Sequence, residues 1–193
     1  LVYAVGTVLP LRDRTLSLVL AGIAIGSMLG ALIALGTDWL PSGSMNMLRE
    51  LKCAADLNAT HFDNHFTDEQ LWRMATLNGA IATATDDVIG QLKVGLVADI
   101  AIFRKAGRVD YQAVIEAEPK DVALVMRGGK VLYGDAPTVG AMASNCDTLD
   151  VCGVQKRVCA KSETGKTYAE LEAGAKSDKA FYELFFCGTP VDE

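Results

Sequence analysis

The chain has 193 residues, of which 50% are hydrophobic and 22% charged, so a sizeable core can be buried and wholesale disorder is excluded. Its net charge of −6 argues against a nucleic-acid surface, because phosphate backbones are gripped by clustered Lys and Arg. No long charged block, low-complexity tract or internal repeat interrupts it, and it opens on Leu1 rather than Met, as a processed product or a piece of a longer chain would.

The first distinctive run, residues 16–35, contains no charged residue. About 20 apolar residues suffice to span a bilayer. Gly22, Gly26 and Gly30 recur at the spacing that lets membrane helices approach closely, and Arg12 and Arg14 precede the run as a cytoplasmic flank would. The same run divides equally well into a buried helix over 16–28, a stop at Gly30 and a buried strand over 31–35. A strand covered on both faces reads as continuous apolar residues. The division is preferred because the run ends abruptly in Gly36-Thr37-Asp38-Trp39, which delivers one carboxylate to a strand end. A cluster of Pro41, Ser42, Gly43 and Ser44 then marks a turn.

Ser44 or Asn46 can cap a following helix to about Leu57, with Met47, Leu48, Leu51 and Ala55 on one face. A polar loop is expected over 58–66. "TDEQ" from Thr67 is a capping box, and its helix is expected to continue through Leu71, Met74, Ala75 and Asn78 to about Ala84. Residues 98–104 read as a strand. Residues 121–135 read as a hairpin with arms 123–126 and 130–133, turned by Gly128-Gly129. Gly128-Gly129-Lys130 lacks the strand-to-helix setting and the Ser or Thr of a phosphate loop. The remainder, from about Thr138, reads as a polar, Cys-bearing appendage with a helix near 168–175.

Of the 5 cysteines, Cys53 falls in a helix and Cys146, Cys152, Cys159 and Cys187 crowd the tail. Their spacing does not form zinc knuckles. Two disulfides in an oxidising compartment and free thiols in a reducing one both fit, and four cysteines allow three pairings.

Four blocks carry a resemblance: "ALGTDWLPSGSMNMLREL", "LWRMATLNGAIAT", "IGQLKVGLVADIAIF" and "DVALVMRGGKVLYGD". In that order they resemble the C-terminal part of metal-dependent amidohydrolases, closest in look to the imidazolonepropionase-like and chlorohydrolase-like branch. The resemblance implies an α/β fold: the C-terminal fragment of a (β/α)8 hydrolase barrel plus part of a composite β-sandwich. Residues 1–88 would hold the last strand and helices of the barrel, 89–137 the sandwich strands and 138–193 the tail. It also implies hydrolysis of non-peptide C–N bonds in a small-molecule substrate by a metal-activated water. Asp38 would be both metal ligand and general base at the C-terminal end of the last barrel strand. Trp39 and Ser42 would face substrate, with packing under the loop and turn formation as their plainer roles. The expected cofactor is a divalent metal, zinc by preference, and the expected compartment is the cytoplasm unless the tail cysteines are disulfide-bonded.

The departures are equally specific. Family sites use an H-x-H pair and further lone His residues, whereas this chain has only His61 and His65, in a loop context. A full barrel takes about 250 residues. The chain by itself is therefore expected to lack the complete site. A membrane-anchored or soluble non-catalytic interaction module is the alternative, and association with further copies of the chain stays open.

Overall fold

The computed structural model describes residues 32–38, 46–177 and 187. The expected helix over 16–28 and the turn at 41–44 lie outside them, as does most of the apolar run. No helix among the described residues is long and apolar enough to cross a membrane.

Four helices form the first layer among the described residues. Helix α1 (Met47–His61) starts where the Asn46 side chain accepts the Arg49 amide at 3.1 Å. It runs past the expected end at Leu57. Asn58 looks like a loop residue but is buried, because its amide pairs twice with the Phe66 backbone, at 2.9 and 3.0 Å. Helix α2 (Asp68–Met74) carries the expected capping box. The Thr67 hydroxyl accepts the Gln70 amide at 3.3 Å, and the Gln70 side chain accepts the Thr67 amide at 2.8 Å.

The single helix expected from Thr67 to Ala84 is in fact two. A separate α3 (Leu77–Ala82) follows a break at Ala75-Thr76. The cause is segment 32–38. Its Leu35 amide takes the Met74 carbonyl at 2.9 Å, the acceptor that an unbroken helix would offer to Asn78. Asn78 instead turns its side chain to the Ile33 carbonyl at 2.7 Å, and the Thr76 hydroxyl bonds back to Trp72. The short α4 (Gln112–Ile115) completes this layer. Leu51, Leu71, Met74 and Ile115 form its core, with Ile33 and Leu35 packed against them.

The second layer is one antiparallel sheet of five strands in the order β1-β2-β3-β5-β4. Strand β1 (Ile100–Phe103) pairs with β2 (Val122–Arg127), and β2 pairs with β3 (Lys130–Asp135) around a turn at Gly128 and Gly129, both with positive φ. The hairpin expected over 121–135 is thus present, and Gly128-Gly129-Lys130 is its turn. Asp99 and the Ala98 carbonyl accept the two turn amides at 2.7 and 2.9 Å. At Gly134 a Cβ would overlap the Ala123 carbonyl oxygen and lie 2.9 Å from Leu124 Cα, so no larger residue fits that crossing.

The tail was expected as an appendage, but it supplies two strands of this sheet. Helix α5 (Ala136–Met142) leads to β4 (Asp147–Val151) and β5 (Val154–Val158), and β5 pairs directly with β3. Cys152 and Gly153, both at positive φ, make the two-residue turn between them. Beyond α6 (Lys161–Thr164), α7 (Tyr168–Lys176) lies where a helix was expected. Its Tyr168 amide is tied to Asp147 of β4 at 2.8 Å. The four tail cysteines are paired as Cys146–Cys159 and Cys152–Cys187, which clamps the hairpin at its open end and at its tip.

Candidate functional site

Segment 32–38 ends in Asp38. A strand covered on both faces was expected here, but the described part has one packed face. Ile33, Leu35 and Thr37 are half-buried, while Leu32, Ala34, Gly36 and Asp38 are exposed. The period-two alternation is that of an extended chain with helices on one side only. The segment has no ladder partner among the described residues. Two hydrogen bonds to α2 and α3 hold it instead, at Leu35 and Ile33. Asp38 has a φ of +52°, a left-handed conformation that Asp tolerates better than most residues. The backbone therefore turns sharply at the carboxylate. Trp39 and Ser42 lie outside the described residues.

Could the described residues hold a divalent metal? Zinc sites draw three or four ligands from the protein. No group of three or more His, Cys, Asp or Glu side chains converges among the described residues. His61 and His65 are both exposed. The first ends α1 with its Nδ1 2.7 Å from the Thr60 hydroxyl, and the second stands edge-on to Phe66. The described residues by themselves do not fit the metal that the resemblance implies, so no catalytic step is derived through one.

Between the two layers lies a cleft of about 950 Å³. Met47, Leu51, Trp72, Phe103 and Val122 make it largely apolar, with Arg73 and Asp99 among its few charges. At its rim the chain exposes Leu92 (82%). Exposed apolar side chains next to an apolar cleft are what a polypeptide surface presents to a partner.

A second feature escaped the sequence reading. Lys156 is fully buried, and its ammonium donates to the carbonyls of Lys120 and Val122, each at 2.7 Å, and to Asp135 at 2.6 Å. Arg104 adds two bonds to the other Asp135 oxygen, at 3.1 and 2.8 Å. Burial alone would raise the Asp135 pKa, but the bonds from Lys156 and Arg104 hold it below the usual carboxylate range. Asp121 behaves alike: burial pushes it up, and Arg108 with the Glu118 amide brings it down further. Burial and the nearby Asp135 charge raise the Tyr133 phenol. A signal was available, since Lys156 falls two residues from both Val154 and Val158 and so shares their face of β5.

Helices against an antiparallel sheet define an α/β protein, and the sequence places it further. The profile of the Amidohydrolase family matches residues 20–132. The chain belongs to that family, as the four blocks led one to expect. It is 32% identical over 131 residues to the 5-methylthioadenosine/S-adenosylhomocysteine deaminase of Desulforudis audaxviator (strain MP104C), covering 57% of this chain and 30% of that protein. The like-named deaminase of Thermoanaerobacter pseudethanolicus (strain ATCC 33223 / 39E) is 34% identical over 113 residues, covering 53% of this chain and 26% of its own length. The chain thus spans less than a third of the curated relatives it matches.

Proposed function

We propose that this chain is the C-terminal portion of a metal-dependent amidohydrolase that hydrolyses non-peptide C–N bonds in a small-molecule substrate. The observation that carries the reading is the family match over residues 20–132, with Asp38 inside it at the end of an extended run. On this reading segment 32–38 is the last strand of a (β/α)8 barrel, and β1 to β3 belong to a composite sandwich. The exposed face of segment 32–38 and the apolar cleft await the rest of the fold. The one-sided packing of Ile33 and Leu35 supports this, since a barrel strand packs one face on helices and turns the other into the barrel interior.

Asp38 is the residue of this chain proposed to reach the reacting centre, as a metal ligand and as the carboxylate that accepts a proton from water. The other ligands, with zinc as the expected ion, come from outside the described residues. Trp39 and Ser42 are proposed to line the substrate side of the same turn. The relatives are named for deaminating adenine-bearing thioethers, so a purine amine is the first substrate class to try. The two disulfides support an oxidising compartment rather than the cytoplasm for this chain.

The test compares the intact gene product with the 193-residue chain, counting zinc by atomic emission and ammonia released from aminopurine nucleosides. Zinc and turnover are expected from a family-length polypeptide and neither from these 193 residues alone. Asp38→Asn in the former should lower turnover by about 10²-fold or more. Stoichiometric zinc with turnover from the short chain would overturn the division of the site. Full activity in Asp38→Asn would remove the role given to that residue.

A further inference from the structure

A smaller cavity, of about 500 Å³, opens beside the β2–β3 turn, far along the chain from Asp38. Its size falls within the range of small-molecule pockets, roughly 300–1,000 Å³. Met126, Val131, Met142 and Cys159 form an apolar wall, and Lys130 and Lys161 contribute the charge. Met142, Cys159 and Lys161 come from beyond the segment matched to the family.

Three observations converge on the ligand. First, no carboxylate among the described residues lines the cavity, although the chain carries a net charge of −6. Second, no carboxylate among the described residues stands within ion-pair distance of either lysine, although Lys161 feels the charge of Glu170, whereas the neighbouring Arg127 is engaged by Glu163. Third, the wall is continuous with the core of Leu124, Val139 and Cys159, and the Cys146–Cys159 disulfide fixes it in place. Two ammonium groups without a close ion pair among the described residues, beside a fixed apolar wall, suit a molecule with one anionic end and one greasy end. Methionines at positions 126 and 142 adapt to chains of varied shape.

We propose that this cavity binds a small amphiphilic monocarboxylate, its carboxylate between Lys130 and Lys161 and its alkyl body against Met126, Val131 and Met142. The probe is octanoate, titrated calorimetrically into the oxidised full chain, with acetate and 1-octanol as the anionic and apolar halves. Octanoate should bind more tightly than either half. The double variant Lys130→Gln/Lys161→Gln should weaken it by about tenfold, the sum of two modest ion pairs. Met142→Glu places a carboxylate at an exposed position of the wall and should abolish binding. Unchanged thermal unfolding of the variants confirms that the fold is kept. Undetectable octanoate binding, equal binding of acetate or octanol, or binding indifferent to these substitutions would each overturn the proposal.

Discussion

Replacing Lys156 by Met should unfold this protein more readily than any other single change at a charged residue of the sheet. Met keeps most of the apolar stem and deletes the ammonium, which makes three bonds of 2.6 to 2.7 Å in a fully buried position. Two backbone carbonyls and one Asp135 oxygen then lose that donor. Removing one partner of a buried ion pair costs about 3–5 kcal/mol. Arg104 still holds the other Asp135 oxygen, which places the expected cost at the lower end, about 3 kcal/mol. At about 2–4 °C per kcal/mol for a chain of this size, Tm should fall by about 6–12 °C.

The assay is urea and thermal unfolding by circular dichroism under non-reducing conditions, as a cycle of Lys156→Met, Asp135→Asn and the double variant. Because the groups share one network, the double variant should cost less than the sum of the singles, by about 0.5–3 kcal/mol. The pH dependence follows from the depressed Asp135 pKa. The folded chain protonates this group at lower pH than the unfolded chain does. Its stabilisation is therefore complete above the ordinary carboxylate value of about 4, and it is lost as pH falls through the folded value. Lys156→Met should flatten the urea midpoint profile below the ordinary carboxylate value of about 4. A stability loss under about 1 kcal/mol, or strict additivity in the cycle, would refute the reasoning.

Two further changes probe the sheet. Gly134→Ala should destabilise by about 2–3 kcal/mol, because the new methyl meets the Ala123 carbonyl and neither strand can retreat; an unchanged urea midpoint would contradict the packing of β2 on β3. Cys146→Ser/Cys159→Ser opens a cross-link whose partners are 13 residues apart, just outside the Asp147–Val158 pair; it should cost about 3 kcal/mol and speed amide exchange in β4 before β2.

Local rules carried the sequence reading where the determinants were local. The Thr67–Gln70 capping box, the Gly128-Gly129 turn and the helix at Tyr168 depend on a few neighbouring residues, and each formed as expected. Membership of the amidohydrolase family was also legible, because four short blocks kept their order from residue 34 to 135. The identity of Asp38 as the carboxylate to watch came from the same blocks, while its exposure came only from the coordinates.

What sequence could not decide were contacts between residues far apart in the chain. Whether the helix beginning at Asp68 breaks depends on Leu35, which claims the Met74 carbonyl from a distant segment. Whether Asn58 belongs to a loop depends on Phe66, which satisfies its buried amide. Whether the tail is an appendage depends on β5 finding β3, and on Lys156 meeting Asp135 and two carbonyls inside the sheet. A buried polar group is tolerable only when its partners arrive, and the tertiary fold alone supplies them.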